Sequence, residues 1–339
     1  MDFHNRTPFD VRVSTDVLSS EWIVVEVTTL VPYGLGGAML EERVRLRDEW
    51  LPDRPLHHVE PDRRHILEVT LCGSVRFSKP VTTAELTLEV DDQRLQARLY
   101  GPRTWARFGE RLVPSAPKPT EQIDLGWGNA LGGCVKRPPG LIPRTNLPSP
   151  SFEETWPENP AGIGFYGVAA DPEGQPVPGM EHPAYPSVAY NALGRSWSFA
   201  GLPVGTSFAL EHVEADGQGG LRSRYPEDPS PRTRLSCKAP PWLRFDAKLG
   251  VQRVACHVEG ATVFELPVRP APFVFEVRAG NRRLRRESPL VWLEVDLDLA
   301  RAHGIYFSRL FCPYVRGQER EVTLLPRPTP TALREETRR

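Results

Sequence analysis

Apolar and polar positions alternate most cleanly over residues 84–90, where Leu86, Leu88 and Val90 fall at every second place between Thr87 and Glu89. A period of two puts those three side chains on one face of an extended chain. Asp91, Asp92 and Gln93 follow as a turn, and residues 94–100 alternate again. The pattern predicts a β-hairpin with one buried face. Further strands are predicted over residues 22–30, 66–72, 252–258, 273–277, 291–297, 305–311 and 321–325, all rich in β-branched or aromatic residues. Residues 298–303 suggest one helical turn before Gly304. Little else reads as helix, so the chain is expected to be mainly β, built as two β-sandwich-like halves.

The texture changes over residues 113–233, where proline and glycine interrupt almost every apolar run. The whole chain holds 36 prolines and 27 glycines. Proline is excluded from helix interiors and central strands, so these residues belong to loops and edges. The expected organisation is an N-terminal β domain over 1–112, a Pro/Gly-rich middle over 113–233, a C-terminal β domain over 234–326 and a disordered tail over 327–339. The middle is expected to pack onto the sheets through Trp127, Trp156, Phe165, Tyr166 and Trp197. Residues 214–231 read as the boundary before the C-terminal part.

Charge narrows the class of partner. The chain has 42 basic and 43 acidic residues among 339 and a formal net charge of −1. Binding to nucleic acid or to an anionic membrane draws on excess positive charge, which is lacking here. Five widely spaced cysteines (Cys72, Cys134, Cys237, Cys256 and Cys312) include no C-x-x-C pair and suggest reduced thiols. No secretory signal is visible over residues 1–13, and no apolar run approaches a membrane span. The expectation is a cytoplasmic protein without a cofactor.

Residues able to do covalent chemistry are scattered. His57, His58 and His65, with Glu60 and Asp62, match no zinc spacing. Cys256 and His257 are neighbours and would point to opposite faces of a strand, so they form no dyad with each other. There is no G-x-S-x-G elbow and no phosphate-binding glycine loop. The acidic neighbours at 41–42, 91–92 and 153–154 do not suggest the opposed carboxylates of a glycosidase. The run Arg282-Arg283-Leu284-Arg285-Arg286 follows Gly280-Asn281 and reads first as a solvated hairpin arm, and second as a contact for an acidic partner.

What remains is a set of glycine-punctuated segments: Gly101-Pro102-Arg103-Thr104-Trp105, the stretch from Asp124 through Trp127 to Gly132-Gly133, and Asn159-Pro160-Ala161-Gly162-Ile163-Gly164-Phe165. Glycines permit unusual backbone and close approach, Pro160 biases Asn159 to extended backbone, and an Asn side chain can cap a turn. Gly162 and Gly164 are expected at positive φ. Arg103 and Trp105 would share a strand face, where guanidinium and indole can stack or meet a partner carboxylate. The same residues could equally serve to lock the middle onto the sheets.

These segments resemble a bacterial family of uncharacterised domains found in type VI secretion gene clusters. Asn5-Arg6-Thr7-Pro8-Phe9 is similar to the family's opening, Gly101 to Trp105 to its Gly-x-Arg-x-Trp element, and Gly132-Gly133 to the end of its Ala-aromatic-Gly-Gly element, with Leu131 in place of the aromatic. Asn159 to Phe165 is the most specific match, to an Asn-Pro-x-Gly-x-Gly-aromatic element. Ala239-Pro240-Pro241 and Leu266-Pro267 fit more loosely, and the stretch from Arg195 to Thr206 departs from the family pattern. The resemblance implies a non-enzymatic adaptor or chaperone that binds a PAAR-type effector and assists its loading onto the spike trimer. Two other readings stay open: a β-sandwich hydrolase or carbohydrate-active enzyme, and a structural component of the secretion machine.

Overall fold

A computed structural model of the chain describes residues 2–17, 22–40, 44–45, 65–137, 140–141, 148–149, 152–156, 159, 162–166, 171–182, 198–200, 213–215, 221–223, 243–247, 253–268, 271–280, 282–313 and 319–327. The histidines at 57 and 58, Pro160, Trp197, Cys237, the proline pair at 240–241 and the diverged 195–197 and 201–206 lie outside these residues.

The protein is mainly β, as the alternation predicts. The largest sheet has six strands in the order Asp10–Val17, Trp22–Gly34, Arg301–Pro313, Leu290–Asp296, His65–Cys72 and Arg244–Ala247. A five-stranded sheet runs Met180–Glu181, Gln93–Tyr100, Thr83–Val90, Arg253–Val258 and Ala261–Pro267. A four-stranded sheet runs Asp2–Asn5, Arg320–Pro326, Phe273–Ala279 and Arg282–Arg286. Most pairings are antiparallel; Leu290–Asp296 beside His65–Cys72, and Asp2–Asn5 beside Arg320–Pro326, are parallel.

The hairpin predicted at 84–100 forms as Thr83–Val90 and Gln93–Tyr100. Its turn is tighter than expected, with Asp91 and Asp92 alone between the paired Val90 and Gln93 and Asp91 at φ 52°. The predicted arm after Gly280 also forms, with Ala279 opposite Arg282. The helical turn expected at 298–303 does not. Residues 297–300 turn between two strands, the Leu299 N–H donates to Asp296 Oδ1 at 2.9 Å, and the strand resumes at Arg301. An Asx-type bond thus replaces helical hydrogen bonding at a position whose next strand is already committed to the sheet.

The division into an N-terminal and a C-terminal β domain is corrected by the strand order. Each of the three large sheets combines strands from before residue 112 with strands from after residue 233. One hydrophobic cluster joins Val25, Leu67, Leu86 and Leu88 to Phe264, Phe273, Leu293 and Leu324. The alternation of a strand shows which face it hides, not which strand it pairs with, so pairing between distant segments leaves no mark in chain order. At the C-terminus, Arg327 is still tied to the fold through its N–H to the Pro272 carbonyl, and the tail beyond it lies outside the described residues.

The middle of the chain is made of short ladders. Leu131–Gly132 pairs in parallel with Ile163–Gly164, and Cys134–Arg137 pairs with Phe152–Thr155. A 3-10 turn spans Trp127–Asn129. Met180–Glu181 adds to the five-stranded sheet opposite Leu99 and Arg98, while Trp127, Ala130, Met180 and Phe199 are buried in the common core. Of the aromatics expected to pack the middle on the sheets, Trp127 reaches this core, Trp156 and Phe165 pack against each other, Tyr166 donates its hydroxyl to the Pro176 carbonyl, and Trp197 lies outside the described residues. Of the proposed boundary at 214–231, only parts of the pairing between Val213–Ala215 and Leu221–Ser223 are described. Among the described residues no helix is long and apolar enough to cross a membrane.

Candidate functional site

The five-stranded sheet delivers the first of the glycine-punctuated segments. Past the end of strand Gln93–Tyr100 the chain turns through Gly101 and runs beside residues 174–179. Tyr100 N–H donates to the Gly179 carbonyl at 2.8 Å, Val177 N–H to Arg103 at 3.0 Å, Trp105 N–H to Gln175 at 2.9 Å and Gly174 N–H to Trp105 at 2.8 Å. Arg103 is buried inside this seam. Its Nη2 donates to the Pro178 carbonyl at 2.7 Å and to Glu181 Oε1, its Nε donates to Pro178 at 3.3 Å, and its guanidinium stacks 3.6 Å from the centre of the Tyr100 ring. The carboxylate expected from a partner is thus supplied by the chain's own Glu181. Trp105 is also buried and opens strand Trp105–Phe108.

Asn159 organises the second and third segments. It is fully buried, and its Nδ2 donates to the Trp127 carbonyl at 2.8 Å and to the Leu131 carbonyl at 3.1 Å. Its own carbonyl accepts from Gly133 N–H at 2.9 Å and from Gly162 N–H at 3.3 Å. Ile163 N–H donates to Ala130 and Phe165 N–H to Gly132, which completes a lacing of residues 127–133 onto 156–165. The Asn side chain therefore ties two segments together rather than capping a turn of its own.

The glycines are needed for two different reasons. A Cβ on Gly132 would fall on the Asn159 carbonyl, and one on Gly162 would fall on the Asn159 side-chain amide. Gly164 has φ +94° and faces Pro178. Positive φ is thus required at Gly164, while Gly162 is selected by close approach instead. Phe165 is half-buried with its ring tilted against Trp156, the centroids 5.4 Å apart.

The matched residues Arg103, Trp105, Trp127, Gly132, Gly133 and Asn159 are all buried, and Gly162, Gly164 and Phe165 are partly so. They form one seam under the loops, and the part of the site open to solvent is what the seam supports. Strands Trp105–Phe108 and Arg111–Pro114 make a hairpin pairing with each other alone among the described strands. Trp105 anchors its base. Arg107 bonds Asp171 Oδ2 at 2.6 Å and Glu173 Oε2 at 3.1 Å, fixing one side of it. At the tip Gly109 turns at φ 62° and Phe108 is 80% exposed, with Val113 also exposed.

Three contributors are not among the candidate site residues read from the sequence, although Tyr100 adjoins the first segment and Asn129 lies inside the second. Glu181 and Tyr100 complete the Arg103 site. Asn129 bridges the seam, donating from Nδ2 to the Asp124 carbonyl at 2.9 Å and accepting Gly179 N–H on Oδ1 at 3.2 Å. None of the three carries a local signal of its role.

The remaining chemistry stays apart. Cys256 is buried, and burial pushes its thiol up to about 12. His257 lies on the other side of the strand, with Nδ1 3.2 Å from Thr262 Oγ1 and Nε2 3.6 Å from Glu89. Burial first, and then the carboxylates of Asp296, Glu294 and Asp298, likewise raise the Cys72 thiol to about 12. Neither thiol is poised as a nucleophile. Most of the histidine and carboxylate cluster at 57–65 lies outside the described residues.

Residues 21–303 match a family described as uncharacterized proteins conserved in bacteria, DUF2169. The match covers most of the chain, and the chain belongs to this family. It includes every residue of the seam. No curated protein and no solved structure matches the chain.

Proposed function

We propose that this protein is a cytoplasmic, non-enzymatic adaptor that binds a PAAR-type effector and assists its loading onto the type VI secretion spike. The reading joins the motif resemblance to one observation, the 80% exposure of Phe108 on a hairpin with a firmly anchored base. An aromatic ring held in water on a preorganised support is suited to insertion into a partner, because little side-chain or loop entropy is lost on binding. The seam below acts as the support. Arg103, Trp105 and Asn159 hold the hairpin and its neighbouring loops in place, and the contact with the client is made by the tip.

Co-expression of the tagged protein with a PAAR-containing polypeptide, followed by pull-down, tests the reading. Recovery of the polypeptide with the wild-type chain, and its loss with Phe108→Ser in a variant of unchanged melting temperature, is the expected result. Equal recovery with both chains would remove the hairpin from the interface, and no recovery with either would overturn the adaptor reading.

A further inference from the structure

We propose that the outer edge of strand Arg282–Arg286 is a docking strand for an acidic, extended polypeptide segment, which joins the four-stranded sheet by β-strand addition. This goes beyond the adaptor reading and does not depend on it: the recognition chemistry concerns a different element from the Phe108 hairpin, and holds for any partner that carries such a segment.

The phase of the ladder decides which backbone groups are open. Arg327 N–H bonds the Pro272 carbonyl, so even-numbered residues of the strand that follows turn their polar groups toward Arg320–Pro326. Odd-numbered Phe275, Val277 and Ala279 then bond their antiparallel partners Arg286, Leu284 and Arg282. The two-residue turn that places Ala279 opposite Arg282 requires the same phase. Arg283 and Arg285 therefore direct N–H and C=O away from the sheet, and among the described residues no strand pairs with them.

The side chains select the occupant. Arg283, Leu284 and Arg285 are exposed. Arg283 and Arg285 share one face, where Arg283 Nε already meets Glu276 Oε1 at 2.7 Å and Arg285 meets no carboxylate among the described residues. Leu284, on the opposite face, is 37% exposed. A strand laid along this edge would place alternate residues beside the two guanidinium groups and the residues between them beside Leu284. The complementary segment alternates acidic and apolar residues. The same arginines oppose pairing with a second copy of this edge, because like charges would face each other across the new ladder. The edge at Ala261–Pro267 is less suited, because the outward Glu265 N–H is taken by the Leu35 carbonyl at 3.3 Å.

The test uses the full chain and a fluorescein-labelled peptide of alternating Glu and Val, with the same peptide carrying Gln for Glu as its uncharged counterpart. Anisotropy is expected to show saturable binding of the Glu peptide that weakens as salt is raised, and binding of the Gln peptide at least about tenfold weaker. Arg285→Pro removes an outward donor and no ladder bond, so it is expected to abolish binding while circular dichroism and melting temperature hold. Arg285→Glu is expected to abolish binding of the Glu peptide as well. The proposal is overturned if the Glu peptide fails to saturate at millimolar concentration, if both peptides bind alike, or if the two Arg285 variants bind as the wild type does. Dimerisation through this edge in place of peptide binding would also overturn it. No client is present in this assay, so its failure leaves the pull-down result above intact.

Discussion

Arg103 and Glu181 form an ion pair that is almost wholly removed from water, with side chains 5% and 6% exposed. A buried charge is tolerated when its remaining hydrogen-bonding positions are filled, and here the Pro178 carbonyl and the Tyr100 ring complete the guanidinium's surroundings. Removing one partner leaves the other charge stranded. Arg103→Met and Glu181→Gln are each expected to lower unfolding free energy by about 3–5 kcal/mol. The double variant is expected to recover part of that loss, and urea unfolding of the wild type and the three variants measures the coupling.

Asn159→Ala removes the donor that two carbonyls share and opens a gap under residues 127–133. A stability loss of about 1–3 kcal/mol is expected. Hydrogen exchange should localise the effect, with faster exchange at Gly133, Ile163 and Phe165, whose N–H groups cross the seam. Uniformly faster exchange across all three sheets would contradict a local role.

Gly132→Ala is expected to be worse than an ordinary loop substitution. The added methyl would meet a backbone carbonyl, which cannot rotate away as a side chain can. A fall in melting temperature of several degrees is expected, read by calorimetry against Gly36→Ala, where open space surrounds the same addition.

Alkaline pH should weaken the fold. Burial raises the Tyr33 hydroxyl from its usual 10.0 to about 12, and raises the Cys72 and Cys256 thiols from 9.0 to about 12. The Tyr33 and Tyr306 hydroxyls lie 2.5 Å apart in the core. Groups held protonated in the folded state contribute stability that is complete below their unfolded values and is lost as pH rises toward their folded ones. Melting temperature is therefore expected to fall between pH 9 and about 12, and Tyr33→Phe should reduce the steepness of that fall.

Phe108→Ser is expected to change stability by no more than about 0.5 kcal/mol, because the ring is mostly in water. A large stability loss would mean that the ring packs against the chain itself rather than presenting to a partner.

The sequence was most legible where structure is local. Strict alternation located the Thr83–Val90 and Gln93–Tyr100 hairpin, and a glycine followed by arginines located the arm after Ala279. Long-range pairing left no such trace. Glu181 lies 78 residues from Arg103, and nothing about either residue alone announces the other. The same holds for Asn159 and Trp127: a buried Asn that bonds distant carbonyls reads, in one dimension, like an Asn beside a proline in a turn. The glycine elements read in the sequence as irregular backbone, and Gly132, Gly133 and Gly164 do have positive φ, but Arg103, Trp105 and Asn159 beside them face inward.

Pairing of Asp2–Asn5 with Arg320–Pro326 joins the first described strand to the last. During synthesis Asp2–Asn5 emerges long before Arg320–Pro326 exists, and its backbone on that side stays unpaired until that strand is made. Deletion of Arg320–Pro326 takes a partner from both Asp2–Asn5 and Phe273–Ala279, and is expected to release an aggregation-prone chain rather than a smaller working protein.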